Sequence, residues 1–341
     1  MKRILLAVSA LLLLAVAALA ILIVQARRSD DMAFLNEPRY ELGEHRGAEF
    51  CGTCHAQIFA QWRDRSRHAI ATTADSVLHV QSELKRHRIL NYILGGEQMC
   101  YACHGPADDG VDCETCHGVA AADIPIMEVH QQKFTPARTE MQRADFCAAC
   151  HEIPGFVTPY GDWQQSEAAA NNVTCQGCHM ERRDAGEPYH GFDSFVLNER
   201  AYEGDISIAV RRFAFPVLDV TVSNNIKGHS VPAGGPTRIL ALEAAFKDSE
   251  GNVIHRDLET FAKYHSLVPL LGFWPYKIIS DSQLKSGEQR SVHFTLPSEL
   301  EGRVTSVELS LRFYEVHDED AGDIDRAYFV SEPFLQDVIV F

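Results

Sequence analysis

The chain has 341 residues, with 47 acidic against 31 basic side chains and a formal charge of −16 at neutral pH. This balance argues against nucleic acid and anionic lipid surfaces as partners, and it suits a protein partner that carries a basic patch. All ten cysteines fall in one recurring motif, which leaves none for a disulfide.

The N-terminus carries an apolar segment. Two basic residues precede an apolar run over residues 4–24, which is long enough to cross a bilayer core of ~30 Å. The run predicts an uncleaved anchor, within residues 1–28, that holds the chain on the periplasmic side of the inner membrane. The alternative is a cleaved signal, since Ala18-Leu-Ala20 and Val24-Gln-Ala26 resemble cleavage sites. The mature protein would then be periplasmic or extracellular.

Five Cys-x-x-Cys-His motifs follow the apolar segment. The cysteine pairs are Cys51/Cys54, Cys100/Cys103, Cys113/Cys116, Cys147/Cys150 and Cys175/Cys178, followed directly by His55, His104, His117, His151 and His179. Cysteines three positions apart lie on one side of a helical turn, so both sulfurs can bond one porphyrin while the adjacent imidazole faces the iron. Zinc or disulfide chemistry does not require a histidine after every second cysteine. The motifs therefore predict five covalent haem c groups, each with its motif histidine as proximal ligand.

The haem-binding region, residues 29–204, shows little strand character. A segment this short cannot wrap five porphyrins separately. We therefore expect the haems to form much of their own core and to lie close together.

Residues 205–341 change to alternation of apolar and polar positions with period two. It is clearest at 218–222, 240–244 and 307–313. Turn signals at 248–252 and 286–288 separate such runs. The prediction is an α+β chain: an N-terminal membrane helix, a mostly helical or irregular pentahaem domain, and a C-terminal antiparallel β-sandwich.

Second axial ligands must come from histidines outside the motifs, and spacing alone cannot allocate them. The candidates that stand out are His68, His130, His190 and His229. Met127 and Met141, which lie near motifs, are alternatives. His229 lies in a Gly-His-Ser-Val-Pro-Ala-Gly segment, whose glycines and proline would hold a rigid loop able to reach from the β region onto a haem.

Several of these segments resemble the cytochrome c554-like multihaem family. The resemblance rests on the first motif with its Trp62…Ser66-Arg-His68-Ala69 continuation, and on Gly110-Val-Asp before the third motif, which is followed by glycine. The Gly-Asp-Trp segment at 161–163, the fifth motif and the loop at 228–234 resemble a variant of that family with a C-terminal β domain.

The resemblance implies a set of distal ligands. His68 would serve the iron of His117, His130 that of His55, His190 that of His151, and His229 that of His179. The family's second haem can lack a distal ligand, which here is the haem of His104. His79 and His87 precede that motif, and either could fill the position.

Three functions follow as hypotheses. Bis-imidazole ligation closes both faces of an iron to substrates, which favours an electron carrier that exchanges electrons with a quinol-oxidising membrane complex or with other cytochromes. If the haem of His104 is open, it could instead act on small nitrogen or oxygen species, although no catalytic residue can be assigned. A third hypothesis is a subunit of an extracellular cytochrome filament, which a retained anchor would prevent.

Overall fold

A computed structural model describes residues 16–18, 47–70, 110–117, 141–152, 158–183, 186–192, 204–234, 238–266, 277–316, 324–327, 329–331, 333 and 335–340. The helices in these ranges are α1 Gly47–Gly52, α2 Ala56–Arg65, α3 Cys113–His117, α4 Ala144–His151, α5 Pro159–Gln164, α6 Glu167–Ala170 and α7 Cys175–His179, with 3₁₀ turns at Arg67–Ile70, Ser298–Leu300 and Ile324–Arg326. The strands are β1 Arg182–Arg183, β2 Glu187–Pro188, β3 Ile206–Ala214, β4 Val217–Asn224, β5 Arg238–Lys247, β6 Val253–Ser266, β7 Lys277–Asp281, β8 Gln289–Thr295, β9 Ser306–Glu315, β10 Phe329–Val330 and β11 Leu335–Val340.

Short helices carry the described cysteine motifs. The helices α3, α4 and α7 each end at the motif histidine, and α1 contains the first cysteine of the first motif. The start of α3 is held by Asp112, whose Oδ1 accepts the backbone N–H of Thr115 at 2.9 Å and its hydroxyl at 2.8 Å. In α3, α4 and α7, one helical turn thus brings the two sulfurs of a motif to one face, as the spacing predicts.

The described residues of the C-terminal part form two antiparallel sheets. One has the strand order β3-β4-β8; the other has the order β10-β9-β5-β6-β7, with β11 also paired to β9. Leucines and valines from β4, β5, β8 and β9 share one buried cluster, so the sheets pack face to face. The three alternating segments expected to be strands lie in β4, β5 and β9. The predicted α+β class with C-terminal antiparallel strands is confirmed.

The two predicted turns are also present. At 248–252, Oδ1 of Asp248 accepts the backbone N–H groups of Glu250 and Asn252, both at 2.9 Å, and Gly251 has a positive φ of 83°. A second turn with a positive φ at Gly287 leads into β8. Side-chain capping by aspartate and the freedom of glycine at positive φ explain why these sequences reverse the chain.

The N-terminal prediction lies almost wholly outside the described residues, which include only residues 16–18 of the apolar run. Within the described ranges, no helix is long and apolar enough to span a bilayer. The expected domain limits at residues 28 and 204 stay predictions.

The β sheets contact the haem-binding region at the segment between the fourth and fifth motifs. The backbone N–H of Ala168 donates to the Lys227 carbonyl at 3.0 Å, and Lys227 Nζ lies 2.8 Å from Glu167 Oε1. Lys263 of β6 donates a hydrogen bond to the hydroxyl of Thr158. The β domain therefore packs on α5 and α6, which link the two motifs.

Candidate haem-binding sites

The described cysteines of different motifs lie side by side. A hydrogen bond with Cys51 raises the pKa of the Cys113 thiol, and one with Cys175 raises the pKa of the Cys147 thiol. Burial raises the pKa of the Cys116 thiol to about 12, with a smaller contribution from the neighbouring Cys150. None of the eight described cysteines forms a disulfide. Four motifs therefore follow one another in space, in the order first, third, fourth and fifth.

The first motif departs from the helical pattern at Cys54. The helix α1 ends two residues earlier, so Cys54 lies in the turn that leads to α2, although the His55 N–H still donates to the Cys51 carbonyl at 2.9 Å. Cys54 is exposed, and its Sγ lies 3.9 Å from the Thr53 hydroxyl. Cys178 is the other exposed cysteine among those described. Cys54 therefore lies in an exposed turn, because α1 ends before it. Its thioether bond to the first haem stays a prediction.

Among the histidines that the structure describes, three pairs of rings face one another. The ring centroids are 5.9 Å apart for His68 and His151, 6.3 Å for His117 and His190, and 6.1 Å for His179 and His229. Two imidazoles on opposite sides of one iron have centres about 6 Å apart, because each metal–nitrogen bond is about 2 Å long and the ring centre lies about 1.1 Å further. Each pair joins a motif histidine to one outside the motifs, and its spacing fits a haem iron between the rings.

The loop after β4 presents His229. Its Nδ1 donates to the Ser230 carbonyl at 2.9 Å, because a carbonyl can only accept. This bond leaves Nε2 without a proton and free to bind a metal. The buried Asn224 holds the loop, since its Nδ2 donates to the His229 carbonyl at 3.1 Å and its Oδ1 accepts the Ile226 N–H at 2.9 Å.

The turn after the β1–β2 hairpin presents His190 in the same way. Its Nδ1 donates to the Pro188 carbonyl at 2.9 Å, so Nε2 again carries the lone pair. The backbone N–H of His190 donates to Gln61 Oε1 at 3.0 Å, across 129 positions of sequence. Gln61 belongs to α2, which follows the first motif, and it thereby fixes the position of the His190 ring, which faces His117 of the third motif.

The 3₁₀ turn after α2 carries His68. Its carbonyl accepts the Val111 N–H at 2.9 Å, and the Trp62 indole N–H donates to the Val111 carbonyl at 3.0 Å. Gly110 permits this contact, because a Cβ there would lie 2.3 Å from the His68 carbonyl oxygen and its φ is +66°. His68 Nδ1 lies 3.3 Å from the Ser66 hydroxyl. Trp62, Ser66 and His68 thus form one local unit.

All three of these histidines are neutral near pH 7. Burial, with a smaller contribution from His151, lowers the pKa of His68 to about 3. Burial also lowers the pKa values of His190 and His229. Only a neutral imidazole has a lone pair for a metal, so these environments suit iron ligands.

The ring contacts correct two of the pairings that the resemblance implied. His68 lies against His151, where His117 was expected, and His190 lies against His117, where His151 was expected. The reason is that the His68 backbone is bonded to Val111 before α3, whereas His117 ends that helix. His179 and His229 face one another as expected.

The remaining predicted site residues cannot be compared with the structure. Those outside the described residues are His79, His87, Cys100, Cys103, His104 and His130. His55 is described and exposed, and it acts electrostatically on His190. Its predicted pairing with His130 stays a prediction.

Comparisons with known proteins agree with these features. Residues 50–118 match the family described as cytochrome c554 and c-prime. The fold is similar to the crystal structure of a penta-heme cytochrome c552 from Thermochromatium tepidum, with a TM-score of 0.64 and 18% sequence identity over 89% of this chain and 100% of the other. No curated protein sequence matches the chain. The expected resemblance to cytochrome c554-like multihaem proteins, with a C-terminal β domain, is confirmed.

Proposed function

We propose that this multihaem c-type cytochrome with a C-terminal β domain transfers electrons between redox partners through five closely packed haem c groups and performs no bond chemistry. The observation that carries the proposal is the set of three facing imidazole pairs. Haem c supplies an iron that alternates between the ferric and ferrous states. An imidazole on each side leaves no open position at that iron for a substrate.

The chain holds each site from separate segments. The motif cysteines and histidines supply the covalent attachment and the proximal ligand, and four of the five motifs are described. The second ligands are His68 from the turn after α2, His190 from the β1–β2 hairpin and His229 from the β domain. Because each of these three histidines is held by a hydrogen bond to a backbone or side-chain oxygen, ligation needs little rearrangement when the oxidation state changes.

The contacts between cysteines support close packing of the sites. Neighbouring thiols connect the first motif to the third, the third to the fourth and the fourth to the fifth. Sulfurs this close require the attached porphyrin edges to lie close as well. Such a series suits a conduit in which electrons pass from site to site.

Location and partners belong to the same proposal. The apolar run at 4–24 supports anchoring in the inner membrane, with the haem and β domains in the periplasm. The formal charge of −16 supports a partner with a basic surface, such as a quinol-oxidising membrane complex or another cytochrome.

Replacing His229 by alanine tests the proposal. We expect one low-spin haem to become high-spin, and the reduced variant to bind one more carbon monoxide per chain than the unmodified protein. His293→Ala is the matched control, because His293 lies in the same domain on β8, is 63% exposed and pairs with the Asp219 carboxylate at 2.6 Å. An unchanged low-spin count in His229→Ala would show that His229 is not a ligand.

A further inference from the structure

A buried cation, Lys263, lies at the junction between the β domain and the haem-binding region. Its side chain belongs to β6, and the residue is only 2% exposed. Its ammonium group donates to the hydroxyl of Thr158, which directly precedes α5. Burial lowers the pKa of Lys263, which reflects the large free-energy cost of removing an ammonium from water.

Carboxylates on several elements offset that cost. Asp162 of α5 and Asp281 at the end of β7 act most strongly on Lys263, and Glu152 also acts on it. These carboxylates raise the pKa of Lys263, whereas the positive charge of Lys285 lowers it. The site is therefore a compensated charge cluster, and removing one member would leave the others unbalanced in a low-dielectric environment.

Two carboxylates of this cluster are close to residues of the imidazole pairs. Glu152 directly follows the motif histidine His151, and its Oε2 accepts the Gly161 N–H of α5 at 2.9 Å. Asp162, one residue further along α5, acts electrostatically on His229. The single helix α5 thus connects the surroundings of His151, His229 and the buried ammonium.

We propose that Lys263 raises the reduction potentials of the haems held by His179/His229 and by His68/His151. The inference rests on the proposed ligand pairs. A fixed positive charge favours the state with one more electron, so it stabilises ferrous over ferric iron, and the buried position makes the effect stronger than that of a surface lysine. The β domain would then supply a distal ligand and also set the electron affinity of the sites it covers.

Potentiometric titration of the full-length holoprotein with the Lys263→Met substitution tests this role. The ratio of reduced to oxidised iron at fixed potential should fall on the order of tenfold at one or two haems, which is about 59 mV for a one-electron centre. The other haems should keep their midpoints. Lys263→Arg, which retains the charge, should keep the original midpoints, and Lys285→Met, at an exposed lysine nearby, should shift them little.

A second variant, Asp162→Asn, tests the inference if the Lys263→Met protein does not fold. Asp162→Asn leaves the lysine charge less compensated, so the same midpoints should rise. Unchanged midpoints in Lys263→Met, with five haems and the low-spin count intact, would overturn the inference while leaving the ligand assignment standing. If the folded variant cannot be obtained, unchanged midpoints in Asp162→Asn overturn it. High-spin irons at the paired sites of the unmodified protein would instead refute the proposed function.

Discussion

Replacing Asn224 by alanine should destabilise the β domain and displace His229 together. Asn224 is 1% exposed, and its Oδ1 accepts the Ile226 N–H at 2.9 Å. Its Nδ2 lies 3.1 Å from the His229 carbonyl oxygen, 3.0 Å from that of Leu284 and 3.1 Å from that of Lys285, so its two N–H groups are shared among three acceptors. Each hydrogen bond contributes about 1 kcal/mol net, and buried groups left without a partner cost more. The free energy of unfolding should therefore fall by about 3–4 kcal/mol.

Denaturant unfolding followed by far-ultraviolet circular dichroism measures that loss, and visible spectra measure the spin state. We expect a partial high-spin signal from the haem that His229 serves. The control is Asn225→Ala, since the neighbouring side chain donates to the Gly204 carbonyl at 2.8 Å and is not buried. Its loss should cost less than about 1 kcal/mol and leave the spectrum unchanged. An Asn224→Ala protein with unaltered stability and spectrum would refute this account of how the loop is held.

Three further predictions concern the other sites. Gly110→Ala places a Cβ 2.3 Å from the His68 carbonyl oxygen and should destabilise the protein by more than Gly251→Ala. At Gly251 nothing lies within 4 Å of the added Cβ, so only the conformational cost of about 1–2 kcal/mol applies. Equal losses of unfolding free energy in the two variants, measured by denaturant unfolding, would contradict the contact at Gly110. The ring planes of His68 and His151 make an angle of 84°, whereas those of His179 and His229 make an angle of 9°. Nearly perpendicular axial imidazoles give a low-spin EPR signal with a large maximal g-value, so low-temperature EPR should show such a signal, and it should disappear in His68→Ala. We expect the haem of His104 to be open or weakly held, so the reduced protein should bind one carbon monoxide per chain, and the absence of binding would show that a ligand such as His79 or His87 fills the site.

Much of the β domain could be predicted because its physics is local. Alternation places Leu218, Val220 and Val222 on one face of β4, and all three are fully buried. Aspartate and glycine at 248–252 specify the turn by short-range hydrogen bonds. The Gly-His…Pro…Gly loop likewise predicted a rigid presentation of His229, and the structure places that ring against His179.

The ligand pairs could not be predicted in the same way, because they depend on contacts between distant segments. The position of His190 is fixed by Gln61, and that of His68 by the backbone of Val111. No spacing rule in the sequence encodes either contact. The resemblance therefore indicated three histidines that the structure places against motif histidines, but it exchanged the partners of two of them.

Lys263 was missed for a related reason. It shares a face of β6 with Phe261, which belongs to the buried core, and alternation would predict an apolar residue at that position. A lysine there signals a polar partner from another segment, which the structure identifies as Thr158. Single-sequence patterns do not show which segment covers a strand.

Spin quantification by EPR on the fully oxidised protein, with five haems established by intact mass, tests the central claim most directly. The three imidazole pairs predict at least three low-spin irons per chain, and hence at most two high-spin irons. Three or more high-spin irons per chain would contradict the assignment of these histidine pairs as axial ligands.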